Sequence, residues 1–126
     1  MQITSAQRDV RSLEALGAEA RRCLCAGDIE SLHRHFGYAL AFDRDPVIAI
    51  GEDLAVVLAE IGAARLECAN QEVPRVSYIK VNDIGLIGII ESVIPTNNGK
   101  SVLLELIVTT VGTETHVIFE QLSGAA

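Results

Sequence analysis

Two glutamates and a histidine are the side chains of this sequence most suited to chemistry on a β-sheet. Alternating apolar residues over 84–122 predict three long strands, joined by turns at Asn98-Gly99 and Gly112-Thr113. If both turns are two-residue loops, Glu105 faces Ser92 and Glu120, and His116 lies one pair further along the same face. Enclosed carboxylates side by side have raised pKa values, because burial and mutual repulsion both disfavour the charged form. The row is therefore a candidate site. The alternative is that it lies near the margin of the sheet in water, or that its carboxylates pair with Lys or Arg.

The same register divides the strands into two apolar faces. One predicted face carries Ile90, Ser92, Ile94, Leu103, Glu105, Ile107, His116, Ile118, Glu120 and Leu122. The other carries Ile87, Ile89, Val93, Leu104, Leu106, Val108, Val117 and Phe119, interrupted by Glu91 and Gln121. A slip of one residue in either turn would exchange these sets. Helices of the chain can cover one face, so a second subunit is expected to cover the other, which predicts a homodimer.

Composition limits the class of protein. The 126 residues predict a single domain, residues 1–126, with 49% hydrophobic residues and a net charge of −7. Nucleic acid is not expected as a partner, since phosphate binding needs clustered Lys and Arg, and no segment is apolar for long enough to predict a membrane span. The three cysteines, Cys23, Cys25 and Cys68, lack a CxxC spacing. Their odd number and the absence of this spacing argue against a disulfide framework and against a zinc site. They are typical of a protein in the reducing cytoplasm.

Residues 1–70 are expected to be mainly helical and residues 75–122 mainly antiparallel strands. Ser5 is the expected N-cap of a first helix that ends at Gly27, and Asp28 caps a second helix over residues 29–36. A short strand is expected over residues 38–42, and a third helix is expected to open at 51–53. The fold class is therefore α+β, with N-terminal helices packed on an antiparallel sheet.

This order resembles the nuclear transport factor 2-like superfamily, whose cystatin-like α+β cone has a curved sheet. The resemblance rests on Ala26-Gly27-Asp28 between the first two helices, Phe36 closing the second, and Asp45-Pro46-Val47 before the third. In the ketosteroid isomerases of this superfamily, a similar Asp-Pro-Val supplies the catalytic base. The resemblance thus implies Asp45 as a base, Glu105 or Glu120 as an acid donor, and a small apolar ligand in the cone. The place of the family's catalytic tyrosine is Ala20, so the isomerase machinery is matched only in part.

Five further residues are predicted to line a ligand pocket: Phe36, Tyr38, Ser92, His116 and Phe119. Three of the candidate site residues have simpler interpretations: Asp45 as a cap of the Pro46 turn, Tyr38 as a core aromatic residue, and His116 as a hydrogen-bonded sheet histidine. No metal or other cofactor is expected, because His33 and His35 diverge on a helix. Two functions remain open. One is small-molecule binding in the cone, with isomerase- or cyclase-like chemistry; the other is a non-catalytic homodimerisation or partner-binding module.

Overall fold

A computed structural model describes residues 1–69, 72–80 and 82–125 of the chain. In chain order the elements are β1 (Gln2–Ile3), a 3-10 helix (Ser5–Gln7), α1 (Val10–Cys25), α2 (Ile29–Phe36), α3 (Pro46–Ile61), β2 (Arg75–Tyr78), β3 (Leu86–Pro95), β4 (Ser101–Val111) and β5 (Glu114–Ala125). The strands form one antiparallel sheet in the order β1-β5-β4-β3-β2, and the three helices pack against it. The predicted α+β fold, with N-terminal helices on an antiparallel sheet, is confirmed.

Each of the three helices begins after an aspartate whose side chain accepts hydrogen bonds from the first turn. Asp9 accepts from the backbone of Ser12 at 3.2 Å, and Asp28 accepts from that of Ser31 at 3.2 Å. Asp45 accepts from two backbone N–H groups, at 3.0 and 3.2 Å. These carboxylates satisfy N–H groups that have no partner within the helix. The second helix has the predicted bounds, and its capping aspartate is confirmed.

Three predicted boundaries in the helical half are wrong. The first helix begins after Asp9 rather than after Ser5, which belongs to the 3-10 helix. Residues 38–42 form turns and not a strand. The third helix begins at Pro46 rather than near Gly51. Proline keeps the preceding residue out of the helix but suits its first position, so Asp45-Pro46 starts the third helix itself.

The two long hairpins differ in how well their registers were predicted. Thr109 pairs with His116 as expected, and Gly112, at φ +63°, occupies the two-residue turn. In the hairpin of β3 and β4 the loop is one residue longer than predicted, since Pro95 pairs with Ser101. The predicted pairing of β3 with β4 is therefore wrong by one residue.

Because of this one-residue difference, each side chain of β3 shares a face with the set of β4 and β5 side chains that was predicted for the other face. The face that packs against the helices is almost fully buried and carries Ile90, Ser92, Ile94, Val102, Leu104, Leu106, Val108, Val117 and Phe119. The other side of the sheet, here called the outer face, carries Ile89, Glu91, Val93, Leu103, Glu105, Ile107, Thr109, His116, Ile118 and Gln121, all partly exposed. A β-bulge between Glu105 and Leu106 leaves Glu120 without a directly opposed residue.

Helix α1 approaches the sheet closely through a glycine. A Cβ atom on Gly17 would lie 2.6 Å from Cγ2 of Ile90, so a larger residue would force the helix away from β3. The Gly17 carbonyl accepts a hydrogen bond from the buried Ser92 hydroxyl at 3.4 Å. Ser92 thus joins the sheet to α1 in the core.

A disulfide joins Cys25, at the end of α1, to Cys68, with their Cα atoms 5.9 Å apart. The prediction that no disulfide forms is wrong. The two cysteines are 43 residues apart in sequence, and only the packing of α1 beside the segment that follows α3 brings them within bonding distance. Disulfides persist in oxidising compartments, so this bond weighs against the reducing cytoplasm that the cysteine pattern suggested.

Candidate functional site

A polar row crosses the outer face, one residue from each of four strands. The pairing aligns Arg75 with Glu91, Glu91 with Glu105, and Glu105 with Gln121. Burial raises the pKa of Glu105 above its ordinary value, and the charges of Glu91 and Glu120 raise it further, against a hydrogen bond from Gln121. The row predicted from the sequence contained Ser92 and Glu120 in place of Glu91 and Gln121. The one-residue slip in β3 and the bulge in β5 account for both differences.

Apolar side chains flank this row on both sides. Their partly exposed members are Ile89, Val93, Leu103, Ile107 and Ile118. Val93 is 37% exposed although it lies within a strand of ten residues. A shallow cavity of about 240 Å³ opens here; its lining residues are Glu72, Val73, Arg75, Glu91, Val93 and Leu103. Charge and exposed apolar area therefore lie together on one surface.

The structure does not bring the predicted site residues into one place. Phe36, Tyr38, Ser92 and Phe119 are all at least 92% buried, on the helix side of the sheet. Glu105, Glu120 and His116 are partly exposed and belong to β4 and β5. His116 pairs with Thr109 as predicted, and its Nε2 atom lies 3.1 Å from Oε2 of Glu114. Asp45 is exposed at the start of α3, where its carboxylate accepts two hydrogen bonds that cap the helix.

Tyr38 takes part in a network that joins the turn after α2 to α3. Its ring packs against that of Phe119, with centroids 4.6 Å apart, and its hydroxyl donates to Asp53. Arg44 donates to both carboxylate oxygens of Asp53, at 2.9 and 3.1 Å, and to the carbonyl of Leu40 at 2.7 Å. Burial and the Asp53 carboxylate raise the pKa of Tyr38, whereas the Arg44 guanidinium lowers the pKa of Asp53. The phenol is held neutral as a donor within the fold.

A cavity larger than the one on the outer face lies beside α1, outside the helix–sheet core. Its volume is about 750 Å³. The lining residues are Glu14, Ala15, Ala18, Glu19, Arg21, Arg22, Cys25, Ala26, Cys68, Glu72, Val73 and Pro74. The disulfide is part of its wall. Arg21, only 4% exposed, donates to the carbonyl of Glu72 at 2.8 Å and so joins the two sides of the cavity.

A third group of reactive side chains lies between α1 and α2. Glu19, Cys23 and His35 each offer one ligand atom, and these atoms lie within 4.8 Å of one another. Burial, and then the Glu19 carboxylate, raise the pKa of the Cys23 thiol. From the sequence, Cys23 was predicted to take no part in a disulfide or a zinc site, and His35 was considered only together with His33. The missed signal is the spacing of four between Glu19 and Cys23, which places both on one face of a helix.

Comparison of the chain with protein-family models, with curated proteins and with solved structures yields no match in any of the three. None of the helices in the described part of the chain combines the length and the apolarity needed to cross a bilayer. The proposals below therefore rest on the geometry of the chain itself.

Proposed function

We propose that this domain is a self-associating module that forms a homodimer through the outer face of its sheet. The observation that carries the proposal is the apolar surface of Ile89, Val93, Leu103, Ile107 and Ile118, partly exposed beside a fully buried opposite face. Contiguous apolar surface of this kind on a soluble domain marks an interaction site. A second copy of the chain is the occupant we infer.

The size of the outer face supports a dimer. Strands of about 10 residues, rising about 3.3 Å per residue and spaced about 4.8 Å apart, make a face about 30 Å long and 15–20 Å wide. Side chains standing on such a face present a somewhat larger accessible area. A specific interface needs about 800 Å² from each partner, so this face supplies the larger part of one standard interface.

A substitution on the outer face tests the proposal. Ile107→Lys places a charge in the middle of the apolar surface without touching the helix-facing core. Val111→Lys is the matched control, since Val111 is on the same strand but 67% exposed near its end. We expect sedimentation equilibrium at micromolar concentration to show dimers for the wild type and for Val111→Lys, and monomers for Ile107→Lys. A monomeric wild type, or a dimer that Ile107→Lys leaves intact, would contradict the proposal.

A second candidate function is the binding of a small apolar molecule, and the cavity beside α1 favours it. Ligand pockets typically have volumes of about 300–1,000 Å³, are mostly apolar and contain a few polar groups. Ala15, Ala18 and the disulfide supply apolar wall, and Arg21 and Glu72 supply polar groups. A ligand bound there would lie outside the helix–sheet core, away from the pocket residues predicted from the sequence.

Filling that cavity tests ligand binding separately from dimerisation. Ala18→Trp should abolish binding of an apolar fluorescent probe to the cavity and leave the dimer unchanged. Ala55→Trp, at an exposed position of α3, is the control. Equal probe binding by both variants would exclude the cavity as the binding site.

We also infer a relationship to the nuclear transport factor 2-like cone. The Ala26-Gly27-Asp28 turn between α1 and α2, the N-terminal helices and the antiparallel meander support it. The ketosteroid isomerase activity that this relationship implies gains no support from Asp45, because its carboxylate accepts two hydrogen bonds that cap α3.

A further inference from the structure

We propose that Glu19, Cys23 and His35 form a binding site for a divalent transition metal ion, Zn²⁺ in particular. The three side chains supply a carboxylate oxygen, a sulfur and an imidazole nitrogen, the three ligand types that Zn²⁺ takes in proteins. Their ligand atoms lie within 4.8 Å of one another. Sulfur and imidazole together favour zinc over magnesium or calcium, which prefer oxygen ligands alone.

The fold presents these side chains from two helices that follow one another directly. Glu19 and Cys23 are four residues apart in α1, so they lie on one face, one turn apart. His35 is in the last turn of α2, and the tight turn through Gly27 folds α2 back against α1. A metal at this point would clamp the helical hairpin.

One distance between ligand atoms already matches a tetrahedral zinc site, and all three atoms lie within 4.8 Å of one another. Zinc bonds of about 2.0–2.3 Å place neighbouring ligand atoms about 3.3–3.7 Å apart. Oε1 of Glu19 is already 3.7 Å from Sγ of Cys23. The Nδ1 atom of His35 is buried and has no hydrogen-bond partner within the described part of the chain. Because a buried polar atom without a partner is costly, an interaction at this ring is favourable.

Among the described residues, Arg22 competes with the metal for Glu19 and Cys23. Its guanidinium holds both oxygens of Glu19, at 2.6 and 2.9 Å. Metal binding would release Oε1 and leave the contact to Oε2, so the pair need not break completely. Arg22 is exposed, and exposed ion pairs contribute little to stability.

Three protein ligands leave the fourth position of a tetrahedral zinc open, as in sites where the metal binds water or a substrate. Glu19 also lines the cavity beside α1, so the metal site and the cavity adjoin.

Cobalt spectroscopy on the full chain with its disulfide intact tests the proposal. Under those conditions Cys23 is the one free thiol of the chain, so a thiolate-to-cobalt charge-transfer band reports ligation by Cys23. We expect chelator-treated protein to bind one Co²⁺ with such a band, and Zn²⁺ to displace it. Cys23→Ser should abolish the band.

Variants of the other two ligands distinguish a specific site from non-specific metal binding. Losing a residue that only hydrogen-bonds to a metal ligand lowers the metal affinity by about 10–100-fold. Glu19→Gln and His35→Gln each replace a ligand itself, so each should lower the affinity by at least that factor. His33→Gln, on the same helix but outside the cluster, should bind as the wild type does. Circular dichroism confirms that each variant is folded, and Glu19→Gln alters a side chain that is 34% exposed. Absence of the band at saturating Co²⁺, or unchanged affinity in His35→Gln or Glu19→Gln, would overturn the proposal.

Discussion

Replacing Leu106 with alanine measures how completely the helix-facing side of the sheet forms the core. Leu106 has no exposed surface and pairs with Phe119 across the hairpin. Leu104 and Val108, its neighbours on the same face, are also buried. Removal of a buried leucine side chain costs about 2–5 kcal/mol, the cost rising with the cavity left behind. Because strand neighbours hold this site on both sides and restrict its collapse, we expect a loss well above the lower end of that range, about 3–4 kcal/mol.

Urea denaturation followed by circular dichroism gives this loss directly. With a slope of about 1.5 kcal/mol per molar urea, the midpoint should fall by about 2–3 M. Val111→Ala is the control: Val111 is on the same strand but 67% exposed, so its loss should be within about 0.5 kcal/mol. A loss below about 1 kcal/mol for Leu106→Ala would refute our assignment of the buried face.

Three further substitutions test the acidic row, the disulfide and the helix–sheet contact. The raised pKa of Glu105 stabilises the fold below the unfolded glutamate pKa, and this contribution is lost as pH rises through the folded pKa. Glu105→Gln should therefore match or exceed the wild type in stability at neutral pH and lose that advantage in acid, as measured by urea melts at both pH values. Cys68→Ser opens a loop of 43 residues and should cost about 4 kcal/mol under non-reducing conditions, whereas under reducing conditions the two proteins should melt alike. Gly17→Ala should lower stability by about 1–3 kcal/mol in thermal melts, since the added methyl group meets β3 at 2.6 Å; an unchanged melting temperature would show that α1 can move away.

Elements whose conformation depends on residues close in sequence were predicted well. The second hairpin register follows from Gly112, which alone supplies the turn conformation, and the prediction is correct up to the bulge. The turn from α1 to α2 likewise follows from Gly27 and Asp28, which act within a few residues of themselves.

The first hairpin was mispredicted because distant contacts set its loop. The Asn97 side chain accepts hydrogen bonds from the backbone of Ala64 and Arg65, and Asn98 donates to the carbonyl of Ile61. These contacts to the segment after α3 stabilise a loop one residue longer than the Asn-Gly rule predicts. The composition of the polar row depends on this register, so the row could not be assigned from local signals.

The disulfide and the Glu19–Cys23–His35 cluster depend on how whole elements pack. The pairing of Cys25 with Cys68 and the contact of His35 with α1 each require the docking of one segment on another. The spacing of four between Glu19 and Cys23 was readable in the sequence; the histidine that completes the cluster was not.

Isotope-filtered NMR on a mixed sample tests the central claim most directly. Half of the chains would carry labelled isoleucine and leucine methyl groups, and the other half would be unlabelled. Dimerisation through the outer face predicts intermolecular methyl contacts from Ile89, Leu103, Ile107 and Ile118, and none from the buried Leu106. Intermolecular contacts confined to another surface, or the absence of any at millimolar concentration, would contradict dimerisation through the outer face.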